Sequence, residues 1–454
     1  MNSKILAAAA VAIIVAAGAA AFIVVNGNGG GRGGIDTELQ VYGNANGDWR
    51  IDQKDVDALR EIISGDREAG KYADANRDGD IDERDVEFVE SIIAGTNKTI
   101  HIVDGDGRDV KVRMGAERVA AEYYSNVELM LILGQADKVV AVDNAPYQCR
   151  DFYFGKGSSV RNLVNMNAPD YEMVEKMDLD VLLTFTYAGT AEKANKLTDV
   201  DVVYLGMYRP NVEDPEKSEY VQGILKAGYM FGAADRAEAY VNWLMGIRDE
   251  IAGKTSGIGD GDRPRVLMTN FTSSYLQTGV ETTEWSVYTS IDPMGQSAVL
   301  AGGHPVAMDV LTPDQYAGGA ERTLYGVKVS PESIVSAKID YAFLHCVKYT
   351  YGGTVAAGPD HGYAVSDRSQ MDAARDLAAS RDLADIGEIR VIAGDFRNGA
   401  SGCMLLAAYM AKILHPELFA DMDPLEYHQQ YVEDWMGIKG YDVRTDGVFI
   451  SPSV

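Results

Sequence analysis

Hydrophobic and polar positions follow three different patterns along this chain of 454 residues. Residues 5–25 form one apolar run without charge, whereas residues 36–98 are mostly polar and contain two short amphipathic segments. From residue 99 onward, short apolar runs typical of buried strands alternate with longer segments of helical periodicity. The strand-like runs are residues 100–103, 110–113, 139–142, 181–184, 202–205, 266–268, 342–344 and 391–393. This alternation predicts an α/β fold with mostly parallel sheets.

A helical stretch over residues 220–253, interrupted near Gly232, divides these strands into two groups. Its second part places apolar residues three and four positions apart, on one face of a helix. These residues are Ala237, Tyr240, Val241, Leu244, Ile247 and Ile251. We therefore expect two α/β lobes joined by a long helix.

The two groups of strands contain a similar segment. Glu172 begins a helix-like segment that leads through Asp180 into the strand-like residues 181–184, and Glu332 and Asp340 hold the same places before residues 342–344. Helix, turn, aspartate and strand also follow one another in unrelated α/β proteins. The pattern therefore fits either a duplicated lobe or a common local arrangement.

Two loops near the N-terminus have the spacing of oxygen ligands around calcium. Asp or Asn occupies loop positions 1, 3, 5, 9 and 12, and position 7 contributes a backbone carbonyl. In the first loop positions 1 to 12 are supplied by Asn44, Asn46, Asp48, Arg50, Asp52 and Asp55, and in the second by Asp74, Asn76, Asp78, Asp80, Asp82 and Asp85. One such loop is also a common solvated turn, but a repeat after 30 residues, each time followed by a matching helix, favours two calcium sites.

These two loop and helix repeats, without an entering helix, resemble a type I dockerin over residues 40–96. The resemblance implies a small all-α domain that folds around two calcium ions and binds a cohesin module of another protein. It also implies the following side-chain ligands: Asn44, Asn46, Asp48 and Asp55 for the first ion, Asp74, Asn76, Asp78 and Asp85 for the second, with Asp52 and Asp82 acting through water. Trp49 stands at the sharp turn where the second loop has Gly79, so we expect a distorted or weak first site.

The apolar residues 5–25 are long enough, at about 1.5 Å per residue, to cross a bilayer as a helix. Lys4 precedes them and a Gly-rich linker follows. We expect an uncleaved transmembrane signal anchor, and a cleaved signal peptide is the alternative because the sequence AAGAA offers small residues for cleavage. Either alternative exports the rest of the chain, to the outer face of the cell membrane or as a secreted protein.

Charge and cysteine content exclude several classes of partner and site. The formal net charge of −27 disfavours nucleic acid, because like charges repel. The three cysteines, Cys149, Cys346 and Cys403, are too few for a disulfide framework and form no CxxC pair. Either one disulfide or three free thiols fit this number.

Residues 99–450 resemble the binding protein of an iron-complex ABC importer, the class that serves siderophores, haem and corrinoids. The resemblance depends on the order and spacing of residues 116–119 (AERV), 131–143, the two Glu and Asp segments, residues 265–268 (RVLM) and residues 415–421. It implies two Rossmann-like lobes bridged by one long helix, with the chelate in the cleft between them. It also implies that Glu172 and Glu332 dock on arginines of an ABC permease, although each glutamate could instead compensate the positive end of its own helix.

The combined reading gives five segments. They are a signal anchor or signal peptide with a Gly-rich linker (1–34), the dockerin-like calcium-binding module (40–96), an N-terminal lobe (99–219), a connecting helix (220–256) and a C-terminal lobe (264–454).

Ligands of open α/β sheets bind beyond the carboxyl ends of the strands. The candidates on loops and segments near those ends are Tyr123, Tyr124, Arg150, Tyr187, Tyr208, Arg209, Tyr275, His304, Tyr349, Tyr351 and Arg397. Tyrosines suit stacking on a macrocycle or phenolate coordination of ferric iron. Arginines suit the carboxylates of an anionic chelate.

The sequence has no HExxH, no nucleophile elbow and no P-loop. We therefore expect a non-enzymatic protein that captures an iron complex and docks through a calcium-dependent module. An extracellular hydrolase with a carboxylate pair, carried by the dockerin, and a cell-surface adhesion protein are the alternatives.

Overall fold

Alternating apolar strands and amphipathic helices form an α/β structure, as the sequence predicts. The computed structural model describes residues 35–167, 169–185, 189–271, 285–351, 354–380, 383 and 385–454, and of residues 271, 348–351 and 354–357 it describes the backbone only. The predicted signal anchor lies outside the described residues. Among the described residues, no helix is both long enough and apolar enough to cross a membrane.

The described part of the chain begins with two helices, α1 (Gln53–Ser64) and α2 (Glu83–Ile93), each of which follows one of the predicted calcium loops. An aspartate of the loop, Asp52 or Asp82, caps each helix and forms a capping box with the aspartate three residues later. A hairpin follows, formed by β1 (Thr99–Val103) and β2 (Asp109–Arg113).

The first lobe contains a five-stranded parallel sheet with the order β5-β4-β3-β6-β7. Its strands are β3 (Val119–Ala121), β4 (Val139–Val142), β5 (Arg161–Asn162), β6 (Val181–Thr184) and β7 (Asp201–Tyr204). Its helices are α3 (Tyr123–Ile132), α4 (Asn144–Gln148), α5 (Arg150–Phe154), α6 (Tyr171–Glu175) and α7 (Thr190–Lys196), with a 3-10 turn at Ala136–Lys138. The central strand β3 is buried throughout, which explains its uninterrupted apolar sequence.

Two helices connect the lobes, α8 (Glu219–Met230) and α9 (Ala234–Thr255), preceded by a 3-10 turn at Pro215–Lys217 and followed by another at Asp260–Asp262. The predicted interruption near Gly232 is therefore a break between two helices. The six apolar residues predicted to share one face of α9 are all buried. In α8, Gly223 lies so close to the residue that follows β7 that a Cβ would stand 1.9 Å from the carbonyl oxygen of Leu205.

The second lobe contains seven described strands in one mixed sheet, with the order β11-β9-β8-β12-β15-β16 and β10 beside β8. The strands are β8 (Arg265–Phe271), β9 (Trp285–Tyr288), β10 (His304–Pro305), β11 (Gly326–Val329), β12 (Tyr341–Cys346), β15 (Glu388–Ile392) and β16 (Ile450–Ser451), and a separate hairpin holds β13 (Lys348–Tyr351) and β14 (Thr354–Ala357). The helices are α10 (Pro293–Leu300), α11 (Ala307–Val310), α12 (Pro313–Tyr316), α13 (Pro331–Ser336), α14 (Ser369–Ala379), α15 (Asp395–Asn398), α16 (Met404–Leu414) and α17 (Pro424–Gln430), with a π turn at Tyr431–Trp435. The strands β10, β8, β12 and β15 pair in parallel, whereas β9, β11 and β16 pair antiparallel, which requires no crossover helix.

The repeated Glu and Asp segments occupy matching places in the two lobes. Asp180 accepts the backbone N–H of Arg118, and Asp340 accepts that of Arg265 at 2.7 Å. Each arginine in turn donates to backbone carbonyls of the turn before its aspartate. The sequence similarity therefore corresponds to the same local structure in both lobes.

A buried carboxyl group, that of Glu128, connects the two lobes. Glu128 of α3 accepts hydrogen bonds from the Tyr153 hydroxyl (2.8 Å), the Tyr431 hydroxyl (2.5 Å) and the Ala400 N–H (2.6 Å). Tyr431 and Ala400 belong to the second lobe. Burial raises the pKa of Glu128 to about 7, although these hydrogen bonds favour the ionised form.

All three cysteines are free. The alternative with one disulfide therefore does not apply to the described structure, in which Cys346 and Cys403 are buried thiols.

Candidate functional site

A cavity of about 490 Å³ lies between the two lobes. The first lobe contributes Tyr123, Tyr124, Ala145, Gln148, Cys149, Met166, Phe185 and Tyr208. The second contributes Asn270, Tyr288, Asp292, Tyr325, His345, Val347, Asp360, His361, Ala364, Val365, Gly394, Asp395, Arg397 and Asn398. Many of these residues lie at the carboxyl ends of the parallel strands, and the volume falls within the range of about 300 to 1,000 Å³ of small-molecule sites.

Aromatic rings form the wall of the first lobe. Tyr123 has a left-handed backbone, with φ of 70°, and its N–H donates to Asp143 at 2.7 Å. Its ring stacks on Phe185 with the ring centres 3.9 Å apart, and Tyr208 stands edge-on to Phe185 at 4.9 Å. The Tyr123 hydroxyl donates across the cleft to Asn398 at 2.6 Å. The wall is thus held from both lobes and suits a ligand with a flat face.

A buried ion pair supports this wall from behind. The Glu122 carboxylate accepts from Lys193 Nζ (2.6 Å), the Thr184 hydroxyl (2.8 Å) and the Phe185 N–H (3.0 Å). Only 1% of the Glu122 side chain and 1% of the Lys193 side chain is exposed. Removing either partner would leave an uncompensated charge inside the lobe.

Arg397 is the only one of the predicted arginines that lines the cavity. Its Nη2 donates to Asp292 at 2.9 Å, and both side chains are buried. The guanidinium carbon also lies 4.4 Å from the centre of the Tyr208 ring and 5.7 Å from that of Tyr325. The charge of Arg397 is therefore already balanced within the protein, and two further carboxyl groups, those of Asp360 and Asp395, line the cavity.

His345 is buried beside the cavity. Its Nδ1 lies 2.7 Å from the Tyr288 hydroxyl, whereas its Nε2 has no hydrogen-bond partner among the described residues. Burial lowers the pKa of His345 well below its usual range, and the positive charge of Arg397 adds to this effect. The ring is thus neutral.

His361 presents a second imidazole to the cavity. Its Nδ1 lies 2.7 Å from the Pro359 carbonyl oxygen, which only accepts, so Nδ1 carries the proton. In the neutral ring, Nε2 then holds the lone pair and lies 4.0 Å from Asp395 Oδ2. Burial raises the pKa of Asp395. His361 Nε2 and Asp395 Oδ2 therefore form a pair of candidate metal ligands, 4.0 Å apart.

Three predicted ligand-binding residues do not line the cavity. Arg150 lies over the ring of Tyr147 at 4.5 Å, and Arg209 lies 3.7 Å from Glu219. His304 in β10 pairs with the start of β8, which places it at the opposite end of the sheet, 2.9 Å from Asp309.

Tyr123, Tyr124, Tyr208 and Arg397 do line it. Tyr187 and Tyr275 lie outside the described residues, and the side chains of Tyr349 and Tyr351 are not described.

Sequence reasoning missed several cavity residues, among them Phe185, Tyr288, Asp292, Tyr325 and His361. Phe185 follows β6 directly, so the rule that selected its neighbours applies to it as well. Tyr325 and His361 lie in irregular segments, where no periodic pattern marks them.

The first predicted calcium loop surrounds a buried carboxylate. Asp55 is fully buried and accepts the N–H groups of Ala45 (2.9 Å), Asn46 (3.1 Å) and Asp52 (2.8 Å). Burial raises the pKa of Asp55 to about 6, and the charge of Asp48 adds to the increase. A cation in the loop would compensate both carboxylates.

The second loop differs in its turn and its charges. Gly79 at the sixth position has a left-handed φ of 97°, whereas Trp49 does not take a positive φ. Asp74 Oδ1 is buried without a partner among the described residues, and Asp85 is buried. Asp78 pairs with Arg84 at 2.6 Å.

The oxygen donors of both loops fit a hard cation such as calcium, and Asp74 Oδ1 is an oxygen that such an ion would satisfy. The predicted ligand sets also include the side-chain oxygens of the asparagines and the backbone carbonyl at loop position 7. No cluster of three or more His, Cys, Asp or Glu side chains is already gathered around a metal position in the part of the chain that the structure describes.

The predicted docking glutamates stand at equivalent, exposed places. Glu172 lies in the first turn of α6 and Glu332 in the first turn of α13. Each helix packs on its lobe through the second following residue, Val174 or Ile334, both of which are buried.

Solved structures with a similar fold include periplasmic binding proteins. A TroA-like periplasmic binding protein, FepB, from Veillonella parvula matches with a TM-score of 0.56 and 14% identity, over 77% of this chain and 98% of that one. The lobes thus have an α/β fold like that of TroA-like binding proteins. The molybdate-binding protein MolA of Haemophilus influenzae matches this TroA-like fold with a TM-score of 0.52 and 15% identity, over 74% and 98% of the two chains. Helicobacter pylori CeuE, solved as a nickel–histidine complex, matches it with a TM-score of 0.52 and 11% identity, over 76% and 98%.

The N-terminal module has its own match. Residues 42–94 match the type I dockerin domain family. No curated protein sequence matches the chain. The resemblance to both families is thereby confirmed, for the lobes at the level of the TroA-like fold.

Proposed function

We propose that this protein is an extracytoplasmic solute-binding protein that captures an iron complex between its lobes and delivers it to an ABC permease. The observation that carries this proposal is the cavity between the lobes, with its stacked aromatic wall and the facing donors of His361 and Asp395. The likeness to periplasmic binding proteins supports the transport role and an exported location.

The cavity favours a metal-centred ligand of low net charge. The positive charge of Arg397 is balanced by Asp292, so a simple anion would meet the carboxyl groups of Asp360 and Asp395 without a free cation among the described lining residues. The formal net charge of −27 would also repel a strongly anionic ligand. Siderophore, haem and corrinoid complexes offer both a flat or aromatic surface and a metal.

In this proposal His361 and Asp395 contact the metal or the polar edge of its chelate. Neutral imidazole and carboxylate are suitable donors to iron. Tyr123, Phe185 and Tyr208 pack against the apolar face of the ligand.

Calorimetry of the purified protein against ferric siderophores, haem and cobalamin, with free ferric iron as a control, tests the proposal. We expect binding of one complex in the micromolar range or tighter. His361→Ala should weaken that binding at least about tenfold, which corresponds to about 1.4 kcal/mol. His304→Ala, at the other end of the sheet, is the matched control and should leave affinity unchanged. Absence of binding to the entire panel would contradict the assignment to iron complexes.

Delivery is proposed to depend on Glu172 and Glu332. The double variant Glu172→Ala with Glu332→Ala should abolish permease-dependent uptake and leave the affinity measured by calorimetry intact. Glu175→Ala, an exposed glutamate on the same helix, serves as the control. Loss of affinity in the double variant would argue against a docking role.

The dockerin-like module is proposed to bind two calcium ions and a cohesin module of another protein. The match over residues 42–94 and the oxygen donors of both loops support this part. Pull-down with a cohesin in calcium and in chelator tests it, and equal capture in both conditions would contradict calcium dependence.

A further inference from the structure

The first calcium loop contacts the helices that connect the lobes. We propose that Tyr229 of α8 and the pair Asp235 and Glu238 of α9 are positioning residues for this loop, so that calcium in the loop and the solute-binding lobes stabilise each other. The inference rests on the calcium binding proposed above. It gives the module a structural role within its own chain besides any role in docking.

The central contact is a hydrogen bond from the loop to Tyr229. The N–H of Ile51, at loop position 8, donates to the Tyr229 hydroxyl at 2.7 Å. Ile51 is 5% exposed and Tyr229 is 9% exposed, so water does not replace this acceptor. Without it, the loop would have to order around a buried N–H that lacks a partner.

A second contact fixes the neighbouring position. Arg50, at loop position 7, is the residue whose carbonyl faces calcium in loops of this type. Its guanidinium lies 2.6 Å from Asp235 and 3.3 Å from Glu238. These side chains are partly exposed, so we expect the pair to contribute less than Tyr229.

The segment before the loop is held by α8 as well. Gln222 accepts the N–H of Gln40 at 3.0 Å and donates to the Glu38 carbonyl at 2.9 Å. The backbone carbonyl of Leu39, the residue between Glu38 and Gln40, accepts a hydrogen bond from the side-chain amide of Asn44 at 2.9 Å. Asn44 is position 1 of the loop, so α8 supports the loop from both sides.

The second loop lacks these supports in the part of the chain that the structure describes. Asp80, the counterpart of Arg50, has a side chain that is 82% exposed, and its ion pair is with Arg84 of its own module at 3.9 Å. Ile81, the counterpart of Ile51, is half-buried. The contact of this loop with the rest of the chain is instead made by Arg77, 3.1 Å from Asp109 of β2.

This asymmetry explains how the first loop could function without the usual glycine. Gly79 provides a left-handed turn in the second loop, whereas Trp49 does not adopt this conformation in the first loop. The contacts with α8 and α9 hold the two positions that follow Trp49. A loop that is already held in its binding conformation needs less free energy for ordering when it binds an ion. Its apparent affinity for the ion is therefore higher.

Terbium, which replaces calcium, tests the proposal because Trp49 is placed to sensitise its luminescence from the first loop. We expect the full-length protein to show tryptophan-sensitised emission that Asp55→Asn abolishes and Asp85→Asn retains. Tyr229→Phe should weaken the sensitised site about five- to tenfold, the loss expected for one buried hydrogen bond. The double variant Asp235→Asn with Glu238→Gln, which keeps the size of both partly exposed side chains, should weaken it about two- to threefold. Tyr427→Phe, which removes a hydroxyl bonded to Glu250 near the other end of α9, is the control and should have no effect.

Thermal unfolding supplies the reciprocal measurement. Calcium should raise the melting temperature of the lobes in the wild type and raise it much less in Asp55→Asn, because an ion that binds only the folded loop stabilises everything coupled to it. Unchanged terbium affinity in both the Tyr229 and the Asp235 and Glu238 variants would overturn the positioning role while leaving calcium binding intact. Absence of sensitised emission in the wild type would overturn both the role and calcium binding in the first loop.

Discussion

Replacing Glu128 by glutamine should reverse the order of stability of the two proteins between acidic and alkaline pH. Glu128 is buried and accepts three hydrogen bonds, two of which come from Ala400 and Tyr431 of the second lobe. Glutamine has the same shape and one carbonyl oxygen, which can take the place of the oxygen bonded to Ala400 and Tyr431. Its amide group can donate to the Tyr153 hydroxyl, so each partner keeps a hydrogen bond.

The magnitude follows from the pKa of the carboxyl group. Burial raises the pKa of Glu128 from its ordinary value of 4.5 to about 7. The folded protein therefore keeps a proton between these values that the unfolded chain has released, and the free energy of unfolding decreases as the pH rises through this window. The decrease amounts to about 3 kcal/mol, since one pH unit corresponds to about 1.4 kcal/mol.

Urea unfolding of both proteins at pH 5 and pH 8, at constant ionic strength, measures this effect. At pH 5 the wild type has a neutral Glu128 and should be as stable as Glu128→Gln or about 1 kcal/mol more stable. At pH 8 the wild type carries a buried charge, and the variant should be about 2 kcal/mol more stable. Other buried acids change both proteins alike, so the comparison isolates Glu128.

Glu128→Ala is the second arm. It leaves the Ala400 N–H and two tyrosine hydroxyls without their acceptor, and should cost about 3 to 5 kcal/mol at pH 5. At pH 8 the cost should be about 2 kcal/mol smaller, because the buried charge of Glu128 already destabilises the wild type there. Parallel pH dependence in the wild type and in Glu128→Gln would refute the reasoning, because it would mean that Glu128 ionises in the folded protein as it does in the unfolded chain.

Three further predictions follow from local geometry. Gly223→Ala should destabilise the protein by about 3 kcal/mol in urea unfolding, since its Cβ would overlap a backbone carbonyl, whereas Gly246→Ala in open space on α9 should stabilise it by about 0.5 to 1 kcal/mol; equal effects would contradict the close approach. Lys193→Met should cost about 3 to 5 kcal/mol because Glu122 is left unpaired, and adding Glu122→Gln should restore most of that loss; no recovery would show that Lys193 matters for another reason. Asp85→Asn should reduce the number of calcium ions in calorimetry from two to one, and an unchanged number would contradict the second site.

Local patterns were sufficient wherever a segment's own neighbours decide its structure. Two of the strand-like runs, residues 139–142 and 181–184, form β4 and β6 with the predicted bounds. A short apolar run in the middle of a parallel sheet has few other arrangements. The break near Gly232 and the buried face of α9 followed from periodicity in the same way. The calcium-loop spacing likewise marked where α1 and α2 begin, since Asp52 and Asp82 are their N-caps.

The candidate ligand site was only partly accessible to such reasoning. The strand-end rule placed Tyr123, Tyr208 and Arg397 at the cavity, because the carboxyl ends of parallel strands share one edge. It did not distinguish Arg397, which faces the cleft, from Arg209, which lies beside Glu219. Which side of a loop a residue faces depends on packing against elements distant in sequence.

The sequence by itself determined the periodicity of the elements, the division into two α/β lobes and the two calcium-loop patterns, because each depends on residues only a few positions apart. Only the tertiary structure decided that Asp292 balances Arg397, that Glu128 joins the lobes, and that Tyr229 supports the first calcium loop. The residues in contact, Asp292 with Arg397, Glu128 with Ala400, and Ile51 with Tyr229, are 105, 272 and 178 residues apart in the sequence, respectively. Contacts at such distances arise from the packing of completed elements, which no local pattern records.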